Sequence, residues 1–271
     1  MIDCIESRET ENFGNGTNMH EKVCLITGAS SGIGRAAALL FAENGAKVVA
    51  LGRNEKELNS LRDESQSFEG TLKPLLADIL EVTQIEKAVN NTIETFGQID
   101  VLVNAAGIIL NGSIETTMLD DWDKMMNINL RAIFNITQKC LPHLEKTKGN
   151  VVNVSSVAGT RSFPNVLAYC VSKAAVDQLT RCSALELAPK GIRVNAVNPG
   201  VVVTSLHKRG GMADEDYQSF LENSKKTHPL GRVGEPREVA ELIYYLASEK
   251  ASWITGATYE IDGGRAQTCA R

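Results

Sequence analysis

The chain has 271 residues, of which 43% are hydrophobic, and its 33 acidic and 28 basic side chains give a formal net charge of −5. This is the size of one large domain or two small ones, with an ordinary globular composition. A net negative charge gives the protein no overall positive potential that would attract a phosphate backbone or an anionic membrane. We therefore expect no nucleic acid or membrane partner. No apolar run reaches the roughly 18 residues of a membrane span. We therefore expect a soluble, cytoplasmic protein.

The cysteines and histidines show no pattern of a metal centre or a disulfide framework. The six cysteines are scattered without a Cys-x-x-Cys pair, and the four histidines lack the spacing of metal ligands. We expect reduced thiols that mostly fill the core, and histidines at the surface or in loops. The first twenty residues follow neither the helical nor the strand period, which predicts a disordered tail over 1–20 and a single domain over 21–271.

Beyond the tail, short β-branched runs alternate with helical patterns. Strands are predicted at 22–27, 46–51, 72–77, 101–106, 151–156, 192–198 and 257–261. Helices are predicted at 33–43, 55–64, 81–96, 121–145, 166–187 and 236–248. Apolar strands joined by helical crossovers predict a Rossmann-type, doubly wound α/β domain, with one parallel seven-stranded sheet between two helical layers. The polar stretch 204–234 is the least regular part and is expected to form either a lid or an ordinary surface loop.

A glycine-rich loop lies between the first predicted strand and the first helix, with the sequence Thr-Gly-Ala-Ser-Ser-Gly-Ile-Gly over 27–34. Glycines permit a tight turn, and the free N–H groups at the start of a helix bind a pyrophosphate. The spacing G-x-x-x-G-x-G differs from the G-x-G-x-x-G fingerprint, and a glycine cluster alone is also compatible with a plain turn. Its place between a strand and a helix favours a dinucleotide site.

The end of the second predicted strand bears on the choice of cofactor. NAD enzymes usually place an acid roughly 20 residues beyond the glycines, where it binds the adenine ribose. This chain has Gly52 and Arg53 there. Glycine leaves room for a 2′-phosphate and arginine supplies charged donors for it, so we predict NADP(H). The alternative is that Arg53 is a solvated residue at the end of a strand.

Tyr169 and Lys173 are four residues apart on a predicted helix and therefore share one face. An ammonium about 4 Å from a phenol, at an effective dielectric of about 20, favours the phenolate by roughly 4 kcal/mol, which brings the phenol pKa near the working pH. Tyr/Lys pairs at this spacing also occur by chance on exposed helices. Ser156 ends the fifth predicted strand, at the sheet edge where ligands bind, and its hydroxyl is suited to hold a carbonyl or alcohol oxygen.

The glycine loop, the sequence Asn-Ala-Ala-Gly over 104–107, Ser156 and Tyr169-x-x-x-Lys173 occur in that order. In this combination the chain resembles the short-chain dehydrogenase/reductase family from about residue 22 to residue 264. The resemblance implies hydride transfer between a nicotinamide cofactor and a small-molecule ketone, aldehyde or alcohol, without a metal. It implies four catalytic residues, in which Asn129 is chosen over Asn127 to anchor a proton-relay water: Asn129, Ser156, Tyr169 and Lys173.

The resemblance also implies the residues that bind the cofactor. They comprise the glycine loop, the ends of four strands and the catalytic pair: Gly28, Ser30, Ser31, Gly32, Ile33, Gly34, Arg53, Asp78, Ile79, Asn104, Ala105, Gly107, Tyr169, Lys173, Pro199, Gly200, Val202 and Thr204. Within this set Asp78 is expected at the adenine and Thr204 at the nicotinamide carboxamide. Ala105 replaces an Asn found in many members, and Ser31 stands where some NADP-dependent members have a second basic residue.

The substrate is less defined. Stretches 157–165 and 205–230 are expected to line its pocket, where Phe163, Leu206, Met212 and Tyr217 either make an apolar wall or pack beneath a loop. Alternatives to a general NADP(H)-dependent carbonyl reductase are a β-ketoacyl reductase of fatty-acid synthesis and an NAD(H)-dependent alcohol or sugar dehydrogenase. By resemblance, a bacterial β-ketoacyl reductase docks its acidic carrier protein through basic residues. Lys190 stands at one apparent equivalent position, whereas the other holds the uncharged Asn135. An epimerase or a non-catalytic nucleotide-binding scaffold is a weaker alternative.

The two long predicted helices suggest self-association. Helices 121–145 and 166–187 carry apolar residues on more than one face, for example Ile133, Ile136, Leu141 and Leu144. A helix that covers only a sheet needs one apolar stripe, so the additional apolar surface predicts a partner. Members of the resembled family pair through these helices about a two-fold axis, which implies a homo-oligomer, either a dimer or a tetramer.

Overall fold

The computed structural model describes residues 19–268. In this part of the chain, one parallel sheet has the strand order β3-β2-β1-β4-β5-β6-β7. Its strands are β1 (Val23–Thr27), β2 (Lys47–Gly52), β3 (Thr71–Leu76), β4 (Val101–Asn104), β5 (Asn150–Val154), β6 (Arg193–Pro199) and β7 (Thr258–Ile261). The predicted parallel seven-stranded sheet is confirmed, and each strand lies within two residues of its predicted bounds.

Helices cover both faces of the sheet. They are α1 (Gly32–Glu43), α2 (Glu55–Glu64), α3 (Val82–Phe96), α4 (Leu119–Met126), α5 (Ala132–Thr147), α6 (Leu167–Leu187), α7 (Leu206–Arg209), α8 (Asp214–Thr227) and α9 (Pro236–Ala247). Side chains alternate along β1, so Cys24 and Ile26 enter a core with α1, α2 and α9 while Leu25 enters a second core with α3, α5 and α6. Two cores separated by one sheet constitute the doubly wound arrangement. None of the helices described is long and apolar enough to cross a membrane.

The strand order reverses between β1 and β4, which opens a crevice at their carboxyl ends. Thr27 ties the two strand ends together, because its hydroxyl accepts hydrogen bonds from the backbone N–H groups of Ala105 (3.1 Å) and Ala106 (3.2 Å). Gly28 follows with a φ of +68°, and a Cβ at this position would lie 2.7 Å from the Ala106 backbone. The crossing is therefore too tight for any residue but glycine.

Two helical predictions need correction. The predicted helix 121–145 is interrupted by a π-helical turn at Asn127–Arg131, between α4 and α5. The stretch 204–234, predicted to be the least regular part, contains the 14-residue helix α8. Its polar sequence suits a surface helix, because three acids in its first turn and two lysines in its last turn complement the helix dipole. Its apolar side, including Tyr217 and Leu221, is buried against Val201.

The apolar residues cited for self-association are mostly internal. Ile133, Ile136 and Leu144 are buried, and Leu141 packs partly into the core beneath α5. These side chains therefore cannot supply the predicted contact surface, because they are already used within the fold.

The predicted tail of residues 1–20 falls mostly on residues 1–18, which lie outside the described residues. Met19, however, is only 2% exposed and belongs to the core beneath α1 and α9. Met19 and His20 are therefore part of the described domain, and the prediction for residues 1–18 stays a prediction.

The cysteines follow the expectation only in part. Cys24 and Cys140 are buried free thiols, whereas Cys182 is exposed. Cys4 and Cys269 lie outside the described residues. Two of the cysteines thus fill the core as predicted.

Candidate active site

A cavity of about 850 Å³ opens at the carboxyl ends of the central strands. Every predicted cofactor-binding and catalytic residue lines it, except Gly34, Asn104 and Asn129. The fold therefore brings together the glycine loop, the end of β2, the Tyr169/Lys173 pair and the segment after β6. A cavity of this size accommodates an extended ligand together with a smaller one.

The three remaining residues lie directly behind the cavity wall. A Cβ at Gly34 would lie 2.5 Å from the carbonyl oxygen of Gly28, so this glycine permits the loop to fold onto its helix. Asn104 is buried and donates from its Nδ2 to the Oδ1 of Asn153 at 2.9 Å, which joins β4 to β5. Asn129 is 0% exposed. These three residues do not line the cavity, but they hold in place the backbone of the segments that do.

The glycine loop forms a cradle for an anion at the start of α1. Gly32 has a φ of +56°, and Ser31, at the N-cap, makes no hydrogen bond from its side chain to the helix. The first turn of α1 contains no acid. Its N–H groups are therefore available to an external acceptor, which suits the pyrophosphate of a dinucleotide. A Cβ at Gly32 would lie 3.1 Å from the methyl group of Thr204, so the segment after β6 closes over this cradle.

The end of β2 holds a different arrangement from the one predicted. Arg53 is 61% exposed at its side chain and its Nη1 lies 3.3 Å from the Oδ2 of Asp78, so the predicted phosphate and adenine residues contact each other. A Cβ at Gly52 would lie 3.1 Å from the Cβ of Ser30, which leaves little space for an acidic side chain. Arg209, from α7, lines the same cavity. Burial and the charge of Arg53 lower the pKa of the Arg209 guanidinium. Arg53 and Arg209 are thus two cations at the same end of the cavity.

Ser156, Tyr169 and Lys173 come together from two elements. Ser156 follows β5, and Tyr169 and Lys173 lie one turn apart on α6, all three buried at the cavity. The Nζ of Lys173 donates to the carbonyl oxygen of Val154 at 2.8 Å. It lies 5.7 Å from the centroid of the Tyr169 ring. The amine is thus fixed over the ring by the strand that also positions Ser156.

Burial determines the titration of this group. It raises the pKa of Tyr169 to about 12, an effect that a hydrogen bond with Ser156 opposes. It lowers the pKa of Lys173 to about 8, an effect that the charge of Asp177 opposes. The prediction that Lys173 brings the phenol pKa near neutrality is therefore wrong for this structure. The ammonium is held over the ring at the Val154 carbonyl, and burial of the phenol is the largest cause of the raised pKa.

Asn129 lies in the π-helical turn, and its amide is fully used. Its Oδ1 accepts from the N–H of Ile108 at 2.9 Å, and its Nδ2 donates to the Ile108 carbonyl at 2.9 Å and to the Ser172 hydroxyl at 3.0 Å. A Cβ at Gly107 would lie 3.3 Å from this Oδ1 and 3.6 Å from the Nζ of Lys173. Asn129 therefore joins the end of β4 to α6 behind the catalytic group. Asn127, the alternative, is half-buried.

Sequence reasoning missed a buried carboxyl group in this wall. Asp177 lies one helical turn beyond Lys173, is buried, and its Oδ2 accepts from the Nδ2 of Asn198 at 2.9 Å. The same Nδ2 donates to the carbonyl oxygen of Ser156 at 3.1 Å. Burial raises the pKa of the Asp177 carboxyl. The available signal was an acid four residues after Lys173, on the helix face that Tyr169 and Lys173 share.

Only some of the side chains predicted at the substrate pocket line the cavity. Phe163 and Leu206 line the cavity. Met212 and Tyr217 pack below it instead, and the Tyr217 hydroxyl donates to the carbonyl oxygen of Thr204 at 2.7 Å. Tyr217 thus holds Thr204 in place rather than forming a wall of the pocket.

One histidine lies in a loop, as expected, but is buried there. His228 directly follows α8, and the Val201 backbone N–H donates to its Nε2 at 3.1 Å. The Nδ1 lies 2.6 Å from the carbonyl oxygen of Ser224, the acceptor that completes its hydrogen bonding. His228 therefore packs the start of the segment after β6 against the end of α8, a contact between two elements that spacing along the chain does not reveal.

Comparison with known proteins agrees with this geometry. A sequence family described as enoyl-(acyl carrier protein) reductase matches residues 28–266. A 3-oxoacyl-[acyl-carrier-protein] reductase FabG of Thermotoga maritima is 42% identical over 244 residues, covering 90% of this chain and 97% of that protein. An NAD-dependent glycerol dehydrogenase of Listeria innocua is 38% identical over 257 residues, covering 93% and 96%.

Solved structures give the same result. A crystal structure of a short-chain dehydrogenase/reductase of unknown function from Caenorhabditis elegans, with cofactor, has a TM-score of 0.88 and 36% identity. The likeness covers 93% of this chain and 98% of that one. The chain is therefore an oxidoreductase of the carbonyl and alcohol type, and it belongs to the short-chain dehydrogenase/reductase family.

Proposed function

We propose that the protein is an NADP(H)-dependent oxidoreductase that interconverts a small ketone or aldehyde with its alcohol. The observation that carries the proposal is the single cavity shared by an anion cradle at the start of α1 and the buried Ser156, Tyr169 and Lys173. The cradle would hold the phosphates of a dinucleotide, and the residues beside α6 would hold its nicotinamide end. The bound cofactor supplies the hydride that the protein itself lacks.

The remaining chemistry is proton management by the chain. Tyr169 is protonated at neutral pH, because burial raises its pKa to about 12, so in reduction it donates a proton to the substrate oxygen. The Ser156 hydroxyl binds the same oxygen and orients it. Lys173, held at the Val154 carbonyl, binds the nicotinamide ribose and keeps a positive charge near the phenol. Asn129 positions Lys173 and the end of β4 by its contacts with Ile108 and Ser172.

The preference for NADP(H) over NAD(H) rests on three residues. Gly52 leaves no space for the acid that would repel a 2′-phosphate, because a Cβ there already meets Ser30 at 3.1 Å. Arg53 and Arg209 together place two guanidinium groups at this end of the cavity, and Asp78 offsets only part of that charge. A 2′-phosphate between them gains charge-assisted hydrogen bonds.

A 3-oxoacyl substrate is the second candidate, favoured by the 42% identity to the carrier-protein reductase of Thermotoga maritima. Against it, Lys190, the one basic residue at a presumed carrier-docking position, is paired with Glu145 at 2.9 Å. Asn135 supplies no charge at the other position. A free small-molecule substrate is therefore the better proposal.

We also propose a homo-oligomer, formed through α5 and α6. Phe134 is 53% exposed on α5 and Leu185 is 80% exposed on α6, and a cavity between the two helices is lined by Phe134 and Leu179 among others. A second copy of this chain would cover these apolar side chains about a two-fold axis. Light scattering should show a dimer or tetramer, and Phe134→Glu should shift it toward the monomer. A wild-type monomer of 29.3 kDa at micromolar concentration would contradict the assembly.

The function is tested by a screen of ketones, aldehydes and alcohols with purified protein and either nicotinamide cofactor. We expect NADPH consumption that matches product formation one to one for at least one carbonyl class, and the reverse with NADP⁺ and the matching alcohol. Isomerisation without net cofactor change would indicate an epimerase. Binding of NADPH without turnover of any substrate would indicate a non-catalytic nucleotide-binding protein.

A further inference from the structure

Arg265 places a cation in the cavity without an anion to pair with it. Its guanidinium carbon lies 4.7 Å from the centroid of the Phe163 ring, and both residues line the cavity that contains Tyr169. The Nη1 of Arg265 is buried and has no hydrogen-bond partner. Among residues 19–268, the ion pairs include none with Arg265. Arg265 is half-buried, and a cation that is partly removed from water without an ion pair gains when an anion binds it.

The nearest acid is already committed to the backbone. Asp262 favours the charged guanidinium electrostatically, while burial lowers the pKa of Arg265. The Oδ1 of Asp262 accepts from the N–H of Gly264 at 2.8 Å, and its Oδ2 accepts from the N–H of Ala266 at 2.6 Å. Asp262 therefore holds the turn after β7 closed and does not form a salt bridge with the arginine that the turn carries.

Hydrogen bonds join the two segments that carry Arg265 and Phe163. Gln267 donates from its Nε2 to the Oε2 of Glu260 at 2.9 Å, and Thr160 donates to the Oε1 of the same carboxylate at 3.5 Å. Glu260 thus joins the turn that carries Arg265 to the segment that carries Phe163. The segments that carry the two side chains are therefore joined through Glu260, and the guanidinium lies over the Phe163 ring.

Apart from Asp262 behind it, Arg265 has no carboxylate beside it in the described lining of the cavity. Of the acidic side chains in the described part of the chain, Asp78 alone lines the cavity, and it contacts Arg53 at the adenine end. His207 lines the cavity near Arg265, and burial together with the charge of Arg265 lowers its pKa, so its imidazole is neutral at neutral pH. Phe163 and Leu206 supply apolar walls. The end of the cavity proposed to bind substrate is therefore lined by apolar side chains and one cation, Arg265.

We propose that Arg265 binds a carboxylate of the substrate, so that the enzyme acts on oxo acids and their hydroxy acids with an apolar segment between carboxylate and carbonyl. This inference rests on the proposed function, because it assigns the substrate class of the same site. A carboxylate is planar and singly charged, which matches the donor pair of one guanidinium. A phosphate monoester carries nearly two charges and normally needs further donors, which makes it an informative comparison.

The test compares each acid with its own neutral ester. Straight-chain oxo acids with the keto group at successive positions, their methyl esters and the corresponding oxoalkyl phosphates are assayed with NADPH. For the best chain length, the wild-type kcat/KM should favour the acid over the ester by about ten-fold or more, and over the phosphate as well. A preference for the phosphate over the acid would overturn the assignment of a carboxylate.

Variants connect this preference with Arg265. In Arg265→Met, which keeps side-chain length without charge, the acid-to-ester ratio of kcat/KM should fall by about 10- to 150-fold, mainly through the KM of the acid. Arg265→Lys should restore part of the ratio. Arg161→Met removes the same charge from an exposed residue outside the cavity lining and should leave the ratio unchanged. An unchanged ratio in Arg265→Met, with the fold intact by circular dichroism, would overturn the inference.

Failure of the inference and failure of the proposed function give different results. Turnover of esters and neutral ketones at least as fast as of acids would overturn the inference and leave the proposed function standing. If no compound is turned over, calorimetric titration of the NADPH-loaded protein with the same acids and esters decides the inference. Acid binding that Arg265→Met abolishes would support it, and equal or absent binding of acid and ester would overturn it.

Discussion

At the cofactor end of the cavity the wall is backbone at the edge of the sheet, whereas at the substrate end it consists of side chains from segments far apart in the sequence. The first is fixed by Gly28, Gly32 and Gly34, where even a methyl group would meet neighbouring atoms at 2.5 to 3.1 Å. The second depends on Phe163, on α7 and on the turn that carries Arg265. The backbone wall therefore suits the proposed cofactor, whereas the side-chain wall suits the proposed substrate and can change with it.

The largest expected effect is at the catalytic group between the two ends. Tyr169→Phe keeps the ring and removes the transferable proton, so turnover should fall by roughly 100- to 10,000-fold while NADPH affinity is retained. Steady-state kinetics and a fluorescence titration with NADPH measure the two quantities. Tyr245→Phe, at an exposed tyrosine of α9, is the matched control and should behave as wild type. Near wild-type turnover by Tyr169→Phe would remove the phenol from the mechanism.

A substitution in the glycine loop should lower the affinity for the cofactor. In Gly34→Ala the new Cβ lies 2.5 Å from the Gly28 carbonyl oxygen, so the cradle must shift, and we expect NADPH affinity to fall by about ten-fold or more. Gly234→Ala is the matched control, because a Cβ there makes only ordinary contacts at 3.5 Å and beyond. Equal NADPH affinities for both variants in a titration would show that the glycine loop does not hold the cofactor.

The adenine side should affect the choice between cofactors. Arg53→Ala and Arg209→Ala each remove one cation, so the ratio of kcat/KM for NADPH to that for NADH should fall by about ten-fold or more in either variant. Arg62→Ala, at an exposed arginine of α2 paired with Asp63, is the control. A wild-type preference for NADH would mean that Arg53 is a solvated strand-end residue paired with Asp78.

The pKa of Tyr169 also predicts a pH dependence that differs between the two directions of the reaction. Burial raises the pKa of Tyr169 to about 12, so the neutral phenol that donates a proton in reduction dominates at and above neutral pH. Alcohol oxidation needs the phenolate, whose fraction grows as pH approaches that pKa. From about pH 6 to about pH 10, kcat/KM for oxidation should therefore rise, while kcat/KM for reduction should not rise. An oxidation rate that falls with pH over this range would contradict the assignment of Tyr169 as the base.

The same contrast explains what could be predicted from sequence. The sheet and the glycine loop depend on local patterns, namely β-branched runs and a loop directly between a strand and a helix, and these are visible in the chain. Arg265 was missed because only the packing of the last turn brings it to the cavity, and Asp177 because its contact with Asn198 behind Lys173 depends on the packing of α6 against β6. The pKa of Tyr169 was misjudged because loss of solvent is a property of the whole fold. Helix α8 was missed because its charged surface hides a narrow apolar side.

The central claim is that the chain transfers hydride between a nicotinamide and a carbonyl carbon. The most direct test is reduction of a turned-over carbonyl compound with NADPH that carries deuterium on the transferred face of its nicotinamide. We expect one deuterium on the carbinol carbon of the alcohol for each NADPH consumed, and none in the product of the Tyr169→Phe protein within the same time. Product without deuterium, or deuterium that returns to the cofactor with no net consumption, would contradict the account.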